Sequence, residues 1–336
     1  MTDPSVDGSQ LCTEGIRRDL INNDLICSRK VSRNLILLKP AIMKTTAIFT
    51  ILVSLALISF RTDKPAYVLY DSEGNNVTYH KMMETIRSAD VVFYGELHDN
   101  PIAHWLEYEI TADLYKTAGN NLVMGAEMFE ADNQLLLNEY LAKDYEADKF
   151  EAEAKLWKNY KTDYKPLVEF ARKNDLHFIA TNIPRRYASM VSRKGFGALD
   201  SLSSEAKQLI APLPVSYDPE VKCYKDMMNM HGMPGMPGMA AMPNENLPKA
   251  QAIKDATMAH FIVQNLTPGK IFIHYNGSYH SDSYSGIIYY LKLYRPDIKV
   301  ATITTATQSD PETFQPDNKG LADFIVAVPE TMTRTY

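Results

Sequence analysis

The stretch VVFYGELHDNPIAHWLEYEI, residues 91 to 110, sets Glu96, His98, Asp99 and His104 within nine positions, directly after an apolar run that stops at Gly95. Carboxylates beside imidazoles can ligate a metal, serve as general acid and base, or orient one another. Further along, Glu127 follows a glycine in NLVMGAE, Arg185 and Arg186 follow HFIATNIP, and Asn276, Ser278 and His280 follow KIFIHY. Arginines so placed suit a carboxylate or phosphate. Between 246 and 266, Gln251, Asp255, Met258 and Ile262 recur at four-three-four spacing, which puts a Gln–Asp pair and apolar side chains on one helix face. His80, His177 and His260 have no partners at informative spacing and read as structural.

These residues need elements to position them. Short β-branched or aromatic runs predict strands at 66–70, 90–95, 121–126, 177–182, 270–275, 297–303 and 323–328. Helical patterns fall between them at 101–117, 132–142, 162–174, 184–194, 246–266 and 284–294. Alternation of this kind predicts a single α/β domain: three layers, α/β/α, around a mostly parallel sheet. Ligands of such sheets bind beyond the carboxyl ends of the strands, which is where Glu96, His98, Glu127, Arg185 and His280 all fall. His98 and His280 are therefore expected at one edge of the sheet. Asn100 and Pro101 suit the start of the next helix, whose amide dipoles would favour an anionic group nearby.

With 336 residues, 45% hydrophobic, and a net charge of −6, the chain has the composition of a globular protein and argues against a nucleic-acid surface. A small molecule or cofactor is the expected partner. The segment MKTTAIFTILVSLALISFRTDKPAY from Met43 has the layout of an export signal: one early positive charge, an apolar run, then polar residues. Residues 43–62 thus read as a signal peptide or N-terminal anchor, and 1–42 as a gene-model extension. The product is expected to be exported, and periplasmic or membrane-associated through that segment. Cys12 and Cys27 precede the signal, leaving Cys223 alone and without an intramolecular disulfide partner. The stretch 227–243, MMNMHGMPGMPGMAAMP, holds seven of the 16 methionines. It reads as an insertion between helices, as a flap over a flat apolar ligand, or as a source of soft ligands beside His231.

At GELHDNPIAH, GAEMFE, NIPRRY, QAIKDATMA and YNGSYH the chain resembles the ChaN-like haem-binding uptake family of the Tiki superfamily, in order from about Ala66 to Pro329. The paired G-x-x-H motifs of that superfamily read here Gly95-Glu96-Leu97-His98 and Gly277-Ser278-Tyr279-His280, with Glu127 as the intervening glutamate. The resemblance implies a ChaN-like domain over 66–329, interrupted by the 227–243 insertion, that binds haem for iron uptake. It also implies a homodimer and a tyrosine on the haem iron. With haem as the ligand, the candidate contacts at the inferred site are His98, His104, Arg185, Asp255, Met258, Tyr275, Tyr279 and His280. Other branches of the superfamily, the Tiki-type metalloproteases and erythromycin esterases, imply the alternative: a hydrolase with Glu96, His98, Glu127 and His280 as catalytic residues around a divalent metal ion. The export reading has a direct check. N-terminal sequencing of the native protein should find no residue of 1–42, and a mature chain that begins at Met1 would remove it.

Overall fold

A computed structural model describes residues 64–230 and 245–336. The expected extension and signal, 1–42 and 43–62, lie outside the described residues, as do residues 231–243 of the Met-rich insertion.

All seven expected strands form: β1 (Val68–Asp71), β2 (Val91–Glu96), β3 (Leu122–Glu130), β4 (His177–Asn182), β5 (Ile271–Gly277), β6 (Val300–Gln308) and β7 (Phe324–Pro329). They make one sheet in the order β1-β7-β6-β2-β5-β3-β4, parallel throughout except where β1 runs against β7. Both faces of the sheet are covered, and the strand sequences show why. Val92 and Tyr94 enter one apolar cluster while Val91 and Phe93 enter the other, and all four are fully buried. A strand with two buried faces reads as an unbroken apolar run, not as an alternating one.

The first face carries α1 (Tyr79–Ile86), α2 (Pro101–Ala118), α3 (Gln134–Leu141), α4 (Ala147–Glu153) and α5 (Lys165–Lys173). The second carries α6 (Arg185–Lys194), the short α7 (Ser204–Lys207), α8 (Lys222–Met230), α9 (Leu247–Asn265) and α10 (Ile287–Tyr294). The result is the three-layer single domain that the alternation predicts. Helices α1, α4, α7 and α8, of four to nine residues, went unpredicted. Among the described residues no helix is long and apolar enough to cross a membrane.

Two details of the sheet place the site. β2 and β5 are paired in register to their ends, with Gly95 opposite Asn276 and Glu96 opposite Gly277. β3 keeps pace with β5 only as far as Ala126, opposite Tyr275, and its register with β4 shifts between Ala126 and Glu130. Glu127 is therefore freed from the β5 ladder just where the β5 strand ends. Packing before that point is tight: a Cβ on Gly125 would lie 2.6 Å from the Phe272 ring and 3.2 Å from Thr181 Cγ2. Gly125→Ala should thus cost about 1–3 kcal/mol by overpacking, read as a lower thermal midpoint. An unchanged midpoint would mean that Phe272 has room to move.

Candidate functional site

The two G-x-x-H motifs interlock. A Cβ on Gly95 would stand 3.0 Å from the Ser278 Cα, and one on Gly277 would stand 2.7 Å from His98 Nε2. Each glycine thus makes room for the other motif. Beyond Gly95 the chain carries buried Glu96, whose Oε1 accepts hydrogen bonds from His98 Nδ1 and from the Tyr164 hydroxyl, both at 2.7 Å. Tyr164 closes a π-helical turn (Tyr160–Tyr164) just before α5. The carboxylate fixes the tautomer of neutral His98: Nδ1 carries the hydrogen, and Nε2 is the nitrogen that bears the lone pair. Burial works to lower the His98 pKa, but Glu96 and Glu127 outweigh it and hold it above the ordinary value. Burial likewise works to raise Glu96, and His98 and His104 overcome it, so Glu96 stays ionised. The edge of His98 rests on Trp157, ring centroids 4.9 Å apart.

The second centre is built around His280, which is buried. Its Nε2 lies 3.1 Å from Glu127 Oε1, its Nδ1 bonds to Asp255, and the Gln251 amide packs within 3.0 Å of the ring. Glu127 Oε2 accepts the Gly277 backbone N–H at 2.8 Å, and the Tyr224 hydroxyl donates to Asp255 at 2.7 Å. Burial would lower the His280 pKa, yet Glu127 and Asp255 raise it to about 9. Glu127 is held far below the carboxylate range, since His280 and His98 more than offset its burial. His280 is therefore an imidazolium with a carboxylate on each nitrogen.

Both centres open on a cavity of about 660 Å³ whose walls include Trp157, Arg185, Lys254 and Tyr279. A second cavity of about 660 Å³, lined by Lys155, Lys158 and Arg186, shares Glu130, Trp157, Arg185 and Tyr336 with it. Arg186 bonds to Asp132, and Lys155 reaches Asp132 at 2.6 Å; Arg185, among the described residues, has no carboxylate partner. His98, His280, Arg185 and Tyr279 thus line the cavity, while four other expected haem contacts do not. Met258 is fully buried in the apolar cluster under α9, since the helix face that starts at Gln251 descends from the cavity into the core. Tyr275 points to the opposite face of the sheet and bonds to Thr111. Asp255 is buried behind His280, and His104 is buried under the His98 loop. The amides expected to favour an anion at the start of α2 are also taken: Asn100 Oδ1 accepts from Ile102 and Ala103 at 3.0 and 3.1 Å.

Sequence reasoning missed several members. Glu107 stands one turn after His104, a spacing that could have shown it. Tyr164 and Trp157 belong to no motif. The segment beyond Pro329 folds back on the site, where Arg334 pairs with Asp99 at 2.5 Å, the Thr335 N–H donates to the Asp99 carbonyl at 2.9 Å, and Tyr336 lines both cavities.

The His280 centre has a pH signature. The folded pKa, about 9, lies above the ordinary 6.5. Its stabilisation is complete below the lower value and is lost as pH rises through the higher one. Thermal midpoints should decline across that window, and less steeply in His280→Gln, which should cost about 3 kcal/mol at neutral pH. A variant that declines as steeply as the wild type would place the titration elsewhere.

Comparison with known proteins agrees with this architecture. A curated relative, the chloroplastic protein RETICULATA-RELATED 5 of Arabidopsis thaliana, is 24% identical over 196 residues, 56% of this chain and 26% of its own length. The chain thus spans about a quarter of that relative. The solved structure showing cofacial haem binding to ChaN of Campylobacter jejuni shares the fold at a TM-score of 0.59 and 18% identity, over 77% of this chain and 96% of that one. An erythromycin esterase mutant in its open conformation matches at a TM-score of 0.42 and 11% identity, over 78% and 83% of the two chains. The model of the family described as haem-binding uptake, Tiki superfamily, ChaN matches residues 82–291, more than half of the chain, and the chain belongs to that family.

Proposed function

We propose that this chain is an exported haem-binding protein of iron or haem acquisition. The observation that carries the reading is His98: of the two motif histidines it alone combines exposure to the cavity, 34% for its side chain, with a lone-pair nitrogen held in place by a carboxylate. The residues around it fit a haem. Trp157 and Tyr279 give aromatic wall, Arg185 and Lys158 stand at the mouth for the propionates, and the Tyr336 ring lies under Lys158, whose Nζ is 4.3 Å from its centroid. His98 Nε2 and the Tyr336 hydroxyl are the donors that would hold the iron. Tyr279 is less suited because its hydroxyl donates to the Cys223 carbonyl. Bound haem would supply the cargo or a redox centre; the chain supplies the oriented donor, the apolar wall and the cations. Membership of the haem-binding family supports this reading, and the segment 43–62 supports export.

The test is a titration of the purified chain with haem and with haem dimethyl ester, followed by the Soret band. Haem should bind, His98→Ala should shift the band, and Arg185→Ala should weaken haem about tenfold, the loss expected of one charged hydrogen bond, while leaving the ester nearly unaffected. A wild-type chain that produces no Soret change would end the reading.

A further inference from the structure

Beneath the His98 loop, where of the three only Glu96 reaches the cavity wall, Glu96, His104 and Glu107 each bring one ligand-type atom within 4.8 Å of the other two, and all three residues are buried. His104 Nδ1 stands 3.4 Å from Glu96 Oε2 and 3.1 Å from Glu107 Oε2. Two ligands that each sit about 2.1 Å from a tetrahedral metal lie roughly 3.4 Å apart, close to these two edges.

The hydrogen bonds around the triad show what is missing from it. His104 Nε2 lies 3.2 Å from the His98 carbonyl and 3.5 Å from Asp163 Oδ2. Both are acceptors, so that nitrogen carries a hydrogen, and Nδ1, which faces the Glu107 and Glu96 carboxylates, is the ring nitrogen that a metal ion would take in place of a proton. Glu96 Oε1 already takes the His98 N–H and the Tyr164 hydroxyl. Its Oε2, and Glu107 Oε1, are buried with no hydrogen-bond partner. A ring nitrogen and the oxygens of two carboxylates therefore converge, with protons such as the one between His104 Nδ1 and Glu107 Oε2 holding them together. A divalent cation would take the place of those protons and balance both carboxylates at once.

We propose that Glu96, His104 and Glu107 form a buried site for a divalent transition-metal ion, distinct from the His98–His280 pair and joined to the cavity only through Glu96. One imidazole and two carboxylates suit Zn2+, Mn2+ or Fe2+. The second layer is of the usual kind for such a site: the ligating histidine donates its other N–H to a carbonyl, and the ligating carboxylate is held by hydrogen bonds on its free oxygen. Because Glu96 also orients His98, an ion here stiffens the loop that presents His98 to the cavity.

The full chain, stripped with chelator and free of haem, would be titrated with Zn2+ and Mn2+ by calorimetry and with Co2+ by visible absorption. The site requires one ion per chain, a thermal midpoint that rises with metal, and visible Co2+ bands typical of protein ligands. Glu107→Gln and His104→Gln should each weaken binding about 100-fold, the upper range for losses around metal sites, while His280→Gln binds as the wild type does. Should the two triad variants fail to fold, the Co2+ spectrum and the midpoint shift of the wild-type chain still decide. A stripped wild-type chain that takes up no ion at millimolar metal overturns the proposal and leaves protons as the only counter-charge. Binding that His280→Gln abolishes and Glu107→Gln spares overturns it too, by moving the ion to the cavity.

Discussion

Parallel pairing of β2 with β5 in a single register is the constraint on which the site depends. It sets Glu96 opposite Gly277 and Gly95 opposite Asn276, so both motifs leave the sheet at the same level and side by side. A slip of one residue would turn every side chain of β2 to the other face and send Glu96 away from Tyr164 and His98. At that level the two backbones are too close for side chains: Gly95 lies against Ser278 and Gly277 against the His98 ring. The motif glycines are thus explained by contact across strands and not by turn geometry, since neither has a positive φ. The freed end of β3 completes the arrangement, because Glu127 can reach both the Gly277 N–H and His280 only after its ladder to β5 has ended.

The groups gathered there are expensive to bury. Glu96, Glu107, Glu127, Asp255, His104 and His280 are all nearly inaccessible. Paired ions in such a place return little net stability, because desolvation cancels most of the attraction. An apolar filling of the same volume would serve the fold as well or better. Their presence therefore speaks for chemistry at the sheet edge. Burial alone pushes Glu107 well above the carboxylate range, with Glu96 adding to the effect. His104, which burial would lower, is raised to about 10 by Glu107, Glu96 and Asp163. Without a metal ion, the triad thus holds its protons tightly on His104 and Glu107 beside the Glu96 carboxylate.

The fold was almost wholly legible in the sequence, because buried strands in a parallel sheet advertise themselves as short apolar runs and long helices as periods. The strand-end residues were legible for the same reason: topology brings strand ends together whatever lies between them. Positions along helices were harder. Gln251, Asp255, Met258 and Ile262 share a face, but the pattern does not tell where along it the cavity stops; it stops after Gln251, and Met258 is core. Tyr275 was misjudged because alternation along β5 sends it to the face opposite His274, where it meets Thr111. Partners supplied by irregular backbone, Trp157, Tyr164 and the tail from Glu330 to Tyr336, leave no periodic trace. They show only once the chain is folded.

The two motifs are similar in sequence but not equivalent in chemistry. His280 has both ring nitrogens committed, to Glu127 and Asp255, and its side chain is 6% exposed. It is a fixed positive charge at the bottom of the cavity. His98 has one nitrogen committed and the other turned to the Gly277 side of the cavity, so it can still form a bond to something that enters. Around the mouth the charge is again positive, with Arg185 and Lys158 beside aromatic rings. A ligand that satisfies all of this needs a donor-accepting centre for His98, a broad apolar body for Trp157 and Tyr336, and anionic groups that reach Arg185 and Lys158. A small neutral ester or a peptide bond meets the first demand and leaves the cations unused. A metallated macrocycle with carboxylate arms meets all three, and that match supports the haem reading proposed above.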